Sequence, residues 1–62
     1  MRTFSLFTTD IRYGVPTLTL VEAEEERQAI AQALANLRRS PFHRAVELRD
    51  GSVSIFQKLK LP

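Results

Sequence analysis

The chain has 62 residues, no cysteine and a single histidine, His43, so disulfide staples, thiolate metal centres and multi-histidine sites are excluded. One domain of this size buries only about 60% of the surface its unfolded chain exposes, which leaves close packing or self-association to stabilise it. Nine basic and seven acidic residues give a net charge of +2, an ordinary surface balance rather than the footprint of a strong polyanion binder.

The N-terminus, Met1-Arg2-Thr3-Phe4-Ser5-Leu6-Phe7, lacks the long apolar core and small-residue cleavage site of a secretory leader. No apolar run approaches the length of a membrane span. A cytoplasmic protein with no membrane partner is the expectation.

Residues 3–9 are rich in β-formers and begin an alternation, with Phe4 and Leu6 on one side, Ser5 on the other and Phe7 on the Ser5 side. Residues 10–16 carry turn chemistry around Gly14 and Pro16. Residues 17–21 alternate again, with Leu18 and Leu20 sharing a face. These two runs are predicted to form a first hairpin. Residues 24–39 are rich in Ala, Leu, Glu, Gln and Arg and form the predicted helix. Ile30, Ala33, Leu34 and Leu37 make its apolar stripe, extended backwards by Ala23. Acidic residues crowd its first turn and Arg38 and Arg39 its last, as the helix dipole favours, and Ser40-Pro41 stops it. No Ser, Thr, Asp or Asn stands where an N-cap should be, which leaves the start uncertain by a couple of residues.

Residues 45–49 and 52–59 flank Asp50-Gly51, a strong hairpin signal. A two-residue Asp50-Gly51 loop pairs Leu48 with Val53, Val46 with Ile55 and Ala45 with Phe56. Leu48, Val53, Val46 and Ile55 then share the core face. Lys60-Leu61-Pro62 reads as a frayed tail.

The predicted fold is therefore α+β, a ββαββ two-layer sandwich with one helix on one face of a four-stranded, mainly antiparallel sheet. Strand order 2-1-3-4 makes every neighbour antiparallel; 2-1-4-3 makes the sheet mixed, and both stay open. The expected core joins Phe4, Leu6, Leu18, Leu20, Val46, Leu48, Val53 and Ile55 to the helix stripe. The uncovered face then carries Phe7, Val21 and Phe56, more apolar than solvation requires, and these three are the candidate interaction surface.

Catalytic and cofactor patterns are missing from the sequence. The two glycines, Gly14 and Gly51, are taken up by turns, and neither paired carboxylates nor a nucleophile–base motif can be argued around His43. No cofactor and no enzyme activity are expected. Phe42 reads as a lid over one end of the core. Arg38, Arg39, His43 and Arg44 form a candidate anion or nucleic-acid contact that Lys58 and Lys60 could extend. The favoured reading is a small structural or protein-interaction module, with homodimerisation through the open sheet face or an edge strand as its expected form; the alternative is a weak nucleic-acid binder using the basic cluster and the sheet aromatics.

Val21-Glu22-Ala23 leading into an acidic, alanine-rich helix, with Ala45-Val46-Glu47-Leu48-Arg49-Asp50-Gly51 in the closing hairpin, resembles a recurring type of short, functionally uncharacterised bacterial protein of similar length and ββαββ order. That resemblance spans nearly the whole chain. It implies a bacterial source and the same fold, and carries over no activity and no functional residue.

Overall fold

The computed structural model describes residues 1–60. The chain runs β1 (Arg2–Asp10), β2 (Thr17–Ala23), α1 (Glu26–Arg39), β3 (His43–Asp50) and β4 (Val53–Leu59). The strands form one sheet in the order β2-β1-β3-β4 with all three neighbouring pairs antiparallel, so the expected α+β sandwich takes the first of its two orders. β1 is therefore central, with β2 on one side and β3 on the other.

The row of β1 residues beneath the helix is Phe4, Leu6, Thr8 and Asp10, all buried. Phe4 pairs with Val21 and Leu6 with Leu48. Around them close Ala23, Val46, Ala29, Ala33 and Leu37, with Ile30, Ile55 and Phe56 packed at the margin. The alanines on α1 let the helix approach the sheet closely, so the two largest fully buried residue types are the Phe and Leu supplied by the strands.

β2 has the opposite phase to the expected one. Val21 is 4% exposed and belongs to the core, whereas Leu18 and Leu20 are 56% and 65% exposed and stand on the uncovered face beside Phe7 and Ser5. The reason lies in the choice between two rows. Turning Leu18 and Leu20 inward would bring Glu22 inward with them, under the start of α1, and a buried unpaired carboxylate costs more than two exposed leucines. Turning Val21 and Ala23 inward leaves only Thr17 and Thr19 on that side, at the end of β2 that extends beyond the helix. Val21 is thus withdrawn from the candidate interaction surface.

The second hairpin is also corrected, by one residue. Its loop is Gly51-Ser52 rather than Asp50-Gly51, because Asp50 pairs with Val53. Gly51 has φ +62 and, among the described residues, no non-glycine residue has positive φ, the pattern of a type II′ turn with glycine first. A bulge then places Ser54 opposite Arg49 and Phe56 opposite Leu48, with Ile55 as the extra residue. Phe56 is carried to the helix side, and with Val21 it leaves Phe7 alone of the proposed set on the open face.

α1 begins at Glu26, two residues later than expected, with Glu25 in the N-cap position and no side-chain cap of its own. The Gln28 side chain reaches back to accept from the Glu24 N–H at 2.9 Å, which satisfies a neighbouring donor. Lys60 is tied down rather than frayed: its N–H donates to the Arg44 carbonyl at 2.7 Å, and its ammonium donates to the Leu37 and Ser40 carbonyls. Leu61 and Pro62, the rest of the expected tail, lie outside the described residues. Among the described residues no helix is long and apolar enough to cross a membrane.

The inverted phase of β2 gives two opposite expectations for denaturant unfolding. Val21→Ala is expected to destabilise by about 1.5 kcal/mol, two buried carbons at about 0.8 kcal/mol each. Leu20→Ala, with its larger deletion, is expected to change stability by less than about 0.5 kcal/mol.

Candidate interaction surface and the polar clasp

Two regions outside the apolar core concentrate functional groups: a polar clasp at the C-terminal end of α1, and the uncovered sheet face with its β2 edge.

The clasp is built by a second bulge. β1 and β3 pair Thr9 with Ala45 but Asp10 with His43, so Arg44 is the extra residue and His43 is turned to the helix side. There its Nδ1 donates to the Asn36 carbonyl at 2.6 Å, one of the carbonyls that the end of a helix leaves without a partner. Because a carbonyl only accepts, the proton sits on Nδ1. Nε2 faces the Asp10 carboxylate at 3.8 Å, too far for a hydrogen bond. Asn36 also donates through its side chain to Thr8 Oγ1 at 2.6 Å.

Asp10 ends β1 and organises the turn that follows. The Arg12 backbone N–H donates to Oδ1 at 2.8 Å, and the Arg12 guanidinium grips both carboxylate oxygens at 3.0 and 2.8 Å. Those side-chain bonds from Arg12, joined by the backbone bond and opposed by burial, hold the Asp10 carboxyl at about 2, well below the ordinary carboxylate value. The same guanidinium lies 4.4 Å from the Phe42 ring centroid, so Phe42 is a half-exposed stacking partner rather than a lid on the core.

The clasp does not have the layout of a hydrolytic relay. Such a relay needs one imidazole nitrogen on the carboxylate and the other on a nucleophile. Here Nδ1 is on a backbone carbonyl and Nε2 faces Asp10. The chemistry available is that of a fastener, closing the helix end onto β1 and β3. Thr8, Asp10 and Asn36 were not singled out in the sequence, although the row Phe4, Leu6, Thr8, Asp10 continues a strict two-residue period and so placed the first two.

The proposed basic cluster is spread around the helix end. Arg38 and Arg39 border one hollow with Gln32 and Asn36; Arg39 also lines the cleft over Asp10 and Thr19 with His43, and Arg38 a hollow with Lys58 and Lys60. Arg44 is exposed on the bulge. The Lys60 ammonium and the His43 ring are already engaged with helix carbonyls. No group of three or more potential metal ligands occurs among the described residues.

The uncovered face is polar at its centre and apolar at its margin. Arg49 donates to Glu47 at 3.1 and 3.2 Å and stacks 5.0 Å from the Phe7 centroid; Gln57 donates to Glu47 and Ser54. The bond from Arg49 leads in lowering the Glu47 carboxyl below its ordinary value. The exposed leucines flank this network, Leu18 and Leu20 on β2 and Leu59 on β4.

The two edges differ. β4 carries the Ile55 bulge and Lys58, both of which discourage strand pairing. β2 pairs with β1 over seven consecutive residues without a bulge, and it has no lysine.

The depressed Asp10 titration fixes a pH dependence. Its stabilisation is complete above the unfolded value of about 3.9 and is lost as pH falls through the folded value of about 2. Denaturation curves at a series of acid pH values are expected to show stability declining over this interval, with a shallower decline in Asp10→Asn; an unchanged acid slope would remove Asp10 as the cause.

No protein-family model matches the chain, and no curated protein or solved structure shows significant similarity to it.

Proposed function

We propose that this protein is a small interaction module that works by self-association through the edge of β2. The observation that carries this reading is the bulge-free, lysine-free β2 edge beside a bulged, lysine-bearing β4 edge in the same sheet. A strand left with a row of unpaired backbone groups is a template for a second strand, and edge addition is a common route to protein recognition.

Stacking of two uncovered faces is the less favourable form of association. It would bury the Arg49–Glu47 pair and the Gln57 amide that occupy the middle of the face, and burial of an ion pair costs several kcal/mol per ion unless every remaining group is matched. Edge addition leaves that network in water and draws only on the margin, where Leu18 and Leu20 stand exposed.

The nucleic-acid alternative loses one of its supports: Phe56 is packed on the helix side rather than presented for stacking.

A strand-to-strand interface of this size belongs to the weak, concentration-dependent class, below about 1,200 Å² of buried surface. Sedimentation velocity from low to high micromolar is expected to show a reversible shift towards dimer. The double variant Leu18→Lys, Leu20→Lys, with unchanged circular dichroism, is expected to stay monomeric. A wild-type chain that remains monomeric throughout, or a variant that associates equally well, would overturn the reading.

A further inference from the structure

Resting on that reading, the backbone geometry of β2 points to one register: we infer that two copies pair antiparallel with their dyad at Thr19, so that Leu18 lies opposite Leu20 of the second copy and Pro16 opposite its Glu22.

In an antiparallel ladder, alternate residues direct their N–H and C=O towards opposite neighbours. Lys60 N–H reaches the Arg44 carbonyl across the β3–β4 boundary, and Ile11 N–H reaches the Phe42 carbonyl across the β1–β3 side. Carried through the observed pairings, this phase turns Phe4, Leu6 and Thr8 towards β2, and their partners Val21, Thr19 and Thr17 towards β1. Leu18, Leu20 and Glu22 therefore direct their backbone groups outward. The Gln32 side chain agrees, because it donates to the Glu22 carbonyl at 3.2 Å from outside the hairpin.

Only one symmetric register matches this set of donors and acceptors. With the dyad at Leu20, the Glu22 carbonyl would have to accept from Leu18 of the second copy at the outward side where the Gln32 amide already stands, crowding two donors on one acceptor. With the dyad at Leu18, the Leu20 carbonyl would face Pro16, which has no N–H. With the dyad at Thr19, the missing donor of Pro16 meets the carbonyl that Gln32 has satisfied. The Glu22 N–H donates to the Pro16 carbonyl, and Leu18 and Leu20 exchange bonds with each other across the axis. The same register brings the four exposed leucines of the two copies together on the uncovered face, the cross-strand pairing that stabilises sheets. Because α1 packs chiefly over β3, the two helices stand apart on the other face.

The chain has no cysteine, so single substitutions read the register cleanly. Opposed residues in a non-hydrogen-bonded pair lie about 4.5 Å apart at Cα, within disulfide range. Under oxidised glutathione, Thr19→Cys is expected to convert to covalent dimer. Thr17→Cys, Leu18→Cys and Leu20→Cys are not, because each would stand beyond the roughly 7 Å limit from its own copy. Leu18→Cys mixed with Leu20→Cys is expected to give the heterodimer. Self-linking of Leu18→Cys or Leu20→Cys in place of Thr19→Cys would overturn the register while leaving edge association in place. Sedimentation of the unmodified chain as a monomer at every concentration would overturn both.

Discussion

The register of β1 on β2, with Phe4 set against Val21, is the constraint on which the rest of the structure depends. A strand has two rows of side chains, and one choice of row decides everything on both faces. Here the choice is made at the end of β2 that the helix covers. Ala23 precedes the crossover into α1 and must lie beneath it, which sends Glu22 to water and Leu20 and Leu18 with it. Two leucines remain exposed because the alternative is a buried carboxylate.

The same register sets the polar end of the core. Continuing the Phe4 row brings Thr8 and Asp10 into the polar end of the core, where Thr8 accepts from the Asn36 side chain and Asp10 from Arg12. The bulge at Arg44 turns His43 into this row, and Lys60 folds back from the end of β4 to the neighbouring carbonyls. The helix is thus fastened at its C-terminus by side chains from β3 and from beyond β4, and at its N-terminus by its own Gln28. Local sequence supplies one end and tertiary structure the other.

Element order, the Ala33 and Leu37 part of the helix stripe and the Phe4, Leu6, Val46, Leu48 part of the core were legible in the sequence, because each follows from a short-range period; Ala29, fully buried, was missed and Leu34 stands outside the core cluster. What was not legible depended on comparing rows across elements. Leu18 and Leu20 are more hydrophobic than Val21 and Ala23, so a strand read alone turns the wrong row inward; the cost of Glu22 appears only once α1 is known to cover that end. Asp50-Gly51 marked the second turn correctly but not its loop, since glycine in positive φ serves either position and the bulge at Ile55 hides the one-residue shift. The clasp joins Asp10, Asn36 and His43 from three elements through a bulge, and no spacing in the chain announces it. Of the proposed surface only Phe7 stayed on the open face, and the edge of β2 emerged in place of the other two residues.

The most direct measurement of the β1–β2 register is the pattern of nuclear Overhauser effects in isotope-labelled protein at low concentration. The register places the Val21 methyl groups near the Phe4 ring and the Leu18 methyl groups near the Phe7 ring. Both sets of cross-peaks are the expected result. Leu20 or Leu18 methyl groups contacting Phe4 and the α1 alanines, with Val21 facing solvent, would contradict the assigned faces, the free β2 edge and the association built on it.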